Sequence, residues 1–166
     1  MRAGVALGSN LGERLAHLRN ARKDIGALRG ALPPLRSSAL YETEPVGCEK
    51  GAAKFLNAVI EFGYAGEAID LLHQLAAIEK LWGRPGAHPK NVSRTLDLDL
   101  LYFGGLEIKT GGLQLPHPRI AEREFVLRPL ADIRPDLILP EQRESVSVLL
   151  LRLPETTAVV RVDLEW

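Results

Sequence analysis

The stretch Arg94 to Phe103, RTLDLDLLYF, constrains the fold more than any other part of the chain. Apolar and acidic residues alternate along it with a period of two, and an extended strand is the conformation that turns successive side chains to opposite faces. Leu96, Leu98 and Leu100 therefore share one face. Asp97 and Asp99 share the other, about 6.5 to 7 Å apart at ~3.3 Å per residue. Aspartate is depleted in strands because it does not suit a half-buried pleated surface. The chain must build a sheet with a core on one side and, at this point, a carboxylate pair on the other that something compensates.

The flanking sequence supplies that sheet. Residues 2 to 7, RAGVAL, read as a strand ended by Gly8-Ser9-Asn10, with Ser9 or Asn10 placed to cap a helix carrying Leu11, Leu15, Leu18, Arg22 and Ile25 at helical spacing. After a break at Pro33-Pro34, LRSSALYETEP and FLNAVIEFGY read as two successive strands that pair. Gly66 to Trp82 is a helix whose apolar face is Ala68, Leu72, Leu75, Ile78 and Trp82, and Gly83 stops it. Glu79 lies on that apolar stripe, so it is expected to be partly buried and to anchor the sheet or a loop through a partner. Gly104-Gly105 is expected to turn the aspartate strand back into LEIK as a hairpin. SVSVLLLRL and TTAVVRVDLEW then read as a helix and a final strand. The order strand, helix, strand, strand, helix, strand is the split βαβ pattern of a ferredoxin-like α+β fold, with helices covering one face of an antiparallel sheet and extra elements at the C-terminal end. One domain over residues 1–166 is expected.

Charge and composition narrow the function classes. Lys plus Arg and Asp plus Glu both number 21, so no global field draws the chain to nucleic acid or a membrane surface. Aromatic residues make up 5%, which weighs against a sheet that stacks RNA bases. No stretch approaches the ~20 apolar residues of a membrane span, and the N-terminus lacks a signal-peptide pattern, so a cytoplasmic monomer acting on small molecules is expected. The single cysteine, Cys48, excludes an internal disulfide and a cysteine-based zinc site. No G-x-x-x-x-G-K-[ST] element is present, which excludes a P-loop nucleotide site.

Two readings of the carboxylate pair compete. They could form salt bridges to Arg94 and Lys109 on a solvated face. Alternatively they could ligate Mg²⁺, which typically takes one or two carboxylates and completes its shell with water and substrate phosphates. Basic residues lie on both sides: Arg84, Lys90 and Arg94 before the pair, and Arg119, Arg123 and Arg128 after it. Guanidinium forks suit phosphate oxygens, so these could neutralise a polyphosphate. His117, between two prolines in LPHPR, has a stiff backbone and could offer a proton or hydrogen bond to a phosphate. The segment RPGAHPKNVSR (84–94) has three basic residues and no acid, the kind of connection that binds or moves. A ferredoxin-like RNA binder or a cofactor-sensing regulatory domain would share the fold, but neither accounts for a D-x-D strand among six basic residues.

Taken together, ALGSNLGER, YETEPVG, FLNAV, IEKLWGR, RTLDLDLLYF and LPHPRIAEREFVLRPL resemble the 6-hydroxymethyl-7,8-dihydropterin pyrophosphokinase family over nearly the whole chain. The resemblance implies transfer of pyrophosphate from ATP to a pterin alcohol in folate synthesis. It implies that Asp97 and Asp99 bind two Mg²⁺ ions, that Arg84, Arg94 and Arg123 hold the transferring phosphates, and that Lys90 and His117 contact ATP. Phe55 and Phe125 would sandwich the pterin, and Asn57 with the backbone at Thr43 and Val46 would read its amide-like edge. The chain departs from the family pattern in HPKNVS ahead of Arg94, where Lys90 stands in for a further arginine, and in Pro118 after His117. The 44–52 and 84–94 segments are expected to close on ATP.

Overall fold

The computed structural model describes residues 1–45, 51–83, 93–154 and 159–166. In chain order the elements are strand β1 (Arg2–Ser9), helix α1 (Arg14–Gly26), strands β2 (Ala31–Ser37), β3 (Leu40–Thr43) and β4 (Phe55–Tyr64), and helix α2 (Ala68–Leu81). Strands β5 (Asp97–Phe103), β6 (Ile108–Lys109) and β7 (Gln114–Leu115), helices α3 (Glu124–Ile133) and α4 (Val146–Arg152), and strand β8 (Val159–Val162) complete the set. The main sheet runs β5-β1-β4-β3-β8, with β2 also on β4, and its pairs are antiparallel. The architecture is mixed α and β, an antiparallel sheet with four helices among the described residues.

Strand alternation builds two cores, one on each face. Val5, Leu7, Leu56, Ile60, Phe62, Leu98 and Leu100 join Leu18 and Ile25 of α1 and Leu71, Leu75 and Ile78 of α2 in the first core. Val59, Leu101 and Tyr102 join Val126, Leu127 and Leu130 of α3 and Val146 of α4 in the second. Helices thus cover both faces, where one covered face was expected. The FVLRPL stretch of α3 carries its own apolar stripe and buries it against the face left open by α1 and α2. Leu96, Leu98 and Leu100 are buried as the alternation requires.

An irregularity in β5 lets the carboxylate face become core within two residues. The pairing passes from Val5 opposite Leu100 to Gly4 opposite Tyr102, so Leu101 is an extra residue and both Leu101 and Tyr102 turn to the second core. Tyr102 lies across Gly4, where a methyl group would come within 2.2 Å of its ring. Its hydroxyl donates to Glu61 Oε2 at 2.7 Å, and the fully buried Glu61 also takes Arg2 at 2.8 Å and Arg134 at 2.6 Å. Burial alone would raise the Glu61 pKa, but these three donors outweigh it and hold the carboxyl below its ordinary value. The network ties the start of β1 and the end of α3 to the middle of the sheet.

Three local expectations differ from the structure. Pro33 and Pro34 lie inside β2 and not ahead of it; β2 pairs with β4 at 31–32 and again at 36–37, so the prolines fall where the register breaks and no ladder donor is required. The turn at Gly104 leads into a small β6–β7 ribbon and does not fold LEIK back onto β5. The open edge of β5 is instead met by the His117 N–H, which donates to the Leu101 carbonyl at 2.7 Å. In α2 Leu71 is fully buried, whereas Leu72 and Trp82 are half-buried. Glu79, as expected, is buried and anchors the sheet, its Oε1 accepting the Leu98 N–H at 2.8 Å.

Candidate active site

The far end of the same sheet, on the α3 face, gathers the polar residues. Gly8 at the end of β1 pairs with Asn57 of β4 on one side and Asp97 of β5 on the other, and Asn57 in turn pairs with Tyr41 of β3. One row therefore reads Asp97, Gly8, Asn57, Tyr41 across four strands. Phe55 and Thr43 form the next pair outward, and the Asn57 side-chain amide donates to Thr43 Oγ1 at 2.8 Å. Asn57 and Thr43 are each 6% exposed, so this amide is held in one orientation by a buried partner. Because Gly8 has no side chain, the floor between Asn57 and Asp97 is bare backbone. A methyl group there would lie 3.3 Å from Asn57 Oδ1 and 3.8 Å from both Asp97 Cβ and Phe55 Cδ1.

Each carboxylate is met by an arginine. Arg94 pairs with Asp97 at 2.8 Å, and Arg123 reaches Asp99 at 3.3 Å from the position just ahead of α3. The salt-bridge reading of the sequence was half right. Lys109, the other expected partner, lies on the β6–β7 ribbon and pairs with Glu141. The Arg123 guanidinium also lies 5.4 Å from the centre of the Phe125 ring, which sets its direction. Burial lowers the Arg123 pKa and Asp99 opposes that shift; the group stays cationic. Arg128 is taken up by Glu124 one turn away, and Arg119 is exposed.

His117 lines a cleft of about 270 Å³ together with Asp99, Leu72, Leu98, Leu100 and the loop Thr110–Gln114. Its Nδ1 accepts the Arg119 backbone N–H at 3.2 Å, which puts the ring proton on Nε2. Burial pushes its pKa below the ordinary histidine value, against the pull of Asp99 and with help from Arg123 and Arg119. The imidazole is neutral at pH 7 and can donate a hydrogen bond from Nε2, although it is no acid there. Sequence reading missed the cleft's apolar walls, Leu72, Leu100 and Leu113, because as single residues they look like ordinary core leucines. A wider cleft of about 430 Å³, lined by Ser37, Ser38 and Arg161 to Trp166, contains none of these groups.

The helix that carries Arg123 and Phe125 at its start is fixed at its other end. Tyr41 donates its hydroxyl to Asp132 at 2.9 Å, the Ala39 N–H donates to the same carboxylate at 3.0 Å, and Arg134 holds Glu61. Burial first, then the Asp132 hydrogen bond, push the Tyr41 phenol up to about 12. Neither Ser9 nor Asn10 caps α1; the N-cap residue is Glu13, with no side-chain cap. Val46, Arg84 and Lys90, with most of the 44–52 and 84–94 segments, lie outside the described residues.

Asp97 and Asp99 suit a hard cation by donor type: two carboxylates on one sheet face, their side chains 24% and 38% exposed. Among the described residues no third acidic or histidine ligand completes a cage, so a magnesium ion there would fill its shell with water and substrate oxygens.

The family profile described as 7,8-dihydro-6-hydroxymethylpterin-pyrophosphokinase matches residues 4–135, the span that holds every element of this site. The chain belongs to the 7,8-dihydro-6-hydroxymethylpterin-pyrophosphokinase family. Among its relatives is the 2-amino-4-hydroxy-6-hydroxymethyldihydropteridine pyrophosphokinase of Bacillus subtilis, 41% identical over 133 residues, covering 79% of this chain and 77% of the relative. A folic acid synthesis protein of Pneumocystis carinii is 38% identical over 136 residues, 82% of this chain but 18% of the relative. A folate synthesis bifunctional protein of Arabidopsis thaliana is 41% identical over 132 residues, 78% of this chain and 26% of the relative. The chain thus spans about a quarter or less of these longer pyrophosphokinase-family relatives. In fold it is similar to the HPPK-DHPS of Plasmodium falciparum solved with pteroate, at TM-score 0.70 and 13% identity over 91% of this chain and 42% of that one. No helix among the described residues is long and apolar enough to cross a membrane.

Proposed function

We propose that this chain transfers pyrophosphate from ATP to the hydroxymethyl group of 6-hydroxymethyl-7,8-dihydropterin, with release of AMP, in folate synthesis. It does so as one domain over residues 1–166, on a ferredoxin-like βαββαβ core; the order β5-β1-β4-β3, with β2 and β3 successive on β4, supports that reading. The observation that carries the function is the pair of carboxylates on the sheet floor, each holding an arginine, between the cleft beside His117 and an aromatic and amide cluster.

ATP enters the cleft beside His117. Leu72, Leu100 and Leu113 pack its base, and the open edge of β5 supplies polar contacts. The Leu98 N–H points outward to Glu79, so alternation turns the Leu100 N–H and carbonyl the same way, toward the cleft. His117 donates from Nε2 to a phosphate oxygen. Asp97 and Asp99 would hold magnesium, two ions being expected, which would supply charge neutralisation along the polyphosphate. Arg94 and Arg123 turn from the carboxylates to phosphate oxygens, joined by Arg84 and Lys90. The pterin lies over Gly8 between Phe55 and Phe125, where stacking adds about 0.5–1.5 kcal/mol beyond burial. Asn57, pinned by Thr43, reads its amide-like edge together with the backbone at Thr43 and Val46. The hydroxymethyl oxygen then attacks the β-phosphorus in line, the new O–P bond forms as the bond to the α-phosphate oxygen breaks, the hydroxyl proton passes to water, and AMP leaves. Positioning and charge neutralisation supply the catalysis.

Purified protein incubated with ATP, Mg²⁺ and the pterin is expected to release AMP only when all three are present. ADP would mean attack at the γ-phosphorus, and no turnover by a folded protein would overturn the reading. Asp97→Ala is expected to lower turnover on the order of 100-fold or more with the fold intact. Unchanged turnover would remove the metal assignment.

A further inference from the structure

Asn10, to which the proposed function gives no role, is 1% exposed and lies just beyond β1. Its backbone N–H donates to the Arg94 carbonyl at 3.1 Å, and its Oδ1 accepts the Arg94 N–H at 2.7 Å. Its Nδ2 donates both of its protons, to the Ala53 carbonyl at 3.1 Å and to Ser93 Oγ at 3.0 Å. One side chain therefore joins three stretches distant in sequence: the end of β1, the residues leading into β4, and the residues leading into β5.

The chemistry of those bonds is specific to asparagine. Only a primary amide of this length offers an acceptor to one backbone N–H and two donors to separate oxygens at once. Aspartate would keep the acceptor and turn a carboxylate oxygen toward the Ala53 carbonyl; alanine would leave the Arg94 N–H and the Ala53 carbonyl without these partners. The residue clamped at both its backbone groups, Arg94, is the one whose guanidinium meets Asp97 at 2.8 Å.

We propose that Asn10 is a positioning residue that acts through Arg94: it fixes the Arg94 backbone so that the guanidinium is aimed at the carboxylate pair and the transferring phosphates. This rests on the function proposed above. Misplacing a catalytic group by an ångström lowers a rate by up to about 100-fold without removing the group, so the effect belongs in kcat.

A double-mutant cycle with AMP release as readout tests this. Asn10→Ala is expected to lower kcat about 10- to 100-fold. If Asn10 works through Arg94, then Asn10→Ala added to Arg94→Ala lowers kcat no further than Arg94→Ala does alone. Losses that multiply in the double variant would show that Asn10 acts independently and overturn the proposal. Where Asn10→Ala does not fold, Ser93→Ala removes one of the four bonds and is put through the same cycle, with the same two outcomes. Wild-type protein that makes no AMP defeats the proposed function itself, whereas an active wild type with a multiplicative cycle defeats this inference alone. The pterin dissociation constant measured without nucleotide is expected to stay unchanged in Asn10→Ala; a loss there as large as the loss in kcat would place the effect at Phe55 and Asn57 and overturn the assignment to Arg94.

Discussion

Replacing Gly8 by alanine separates binding from folding. The residue is on a regular strand between Asn57 and Asp97, so alanine suits its backbone and should stabilise the fold by about 0.4–1 kcal/mol through the unfolded chain. The added methyl rises about 1.5 Å from a floor that is otherwise bare backbone. It also lies 3.3 Å from Asn57 Oδ1, closer than ordinary van der Waals contact, while Thr43 prevents Asn57 from swinging away. The pterin is then lifted or its hydrogen bond to Asn57 lost, at about 1–3 kcal/mol, which is about 5- to 150-fold in dissociation constant. Calorimetric titration of the pterin and of a non-hydrolysable ATP analogue, with thermal melts of the same samples, would measure all three quantities. We expect a melting temperature that is unchanged or raised, weakened pterin binding and unaltered nucleotide binding. Full pterin affinity in a folded Gly8→Ala protein would refute the argument, because the ring could not then lie over this position.

Other substitutions probe the supports. Glu61→Ala leaves Arg2, Arg134 and the Tyr102 hydroxyl around an empty site and should destabilise the fold by about 3–5 kcal/mol in urea titration. Since the folded Glu61 pKa is below the unfolded value, its contribution is complete above about pH 4.3 and is lost as pH falls toward the folded value; Glu61→Gln should flatten that acid slope. Glu79→Ala removes the acceptor of the Leu98 N–H and should destabilise by about 1–3 kcal/mol, read by the same titration. His117 also has a folded pKa below its unfolded value, so stability is greatest above about pH 6.5 and declines as pH falls through the folded value; His117→Gln should remove that part of the slope.

What the sequence determined by itself is what repeats locally. A period of two in RTLDLDLLYF is enough to put Asp97 and Asp99 on one face and Leu96, Leu98 and Leu100 on the other, because alternation is a property of the extended backbone alone. The same holds for α1 and α2, whose apolar stripes recur every three or four residues, and for Glu79, marked by its place on such a stripe. Tertiary structure decided everything that depends on which strand lies beside which. Nothing local places Gly8 between Asp97 and Asn57, brings Arg123 across 24 residues to Asp99, or puts α3 on the second face. The β5 irregularity that turns the carboxylate face into core appears only in the register against β1. Asn10 shows the limit most clearly: in sequence it is an acceptable helix cap, and only the folded chain brings Ala53, Ser93 and Arg94 to it. Local periodicity fixes the face a side chain takes, but its partners are set by register and layer packing between segments far apart in the chain, which follow from the joint burial of both cores.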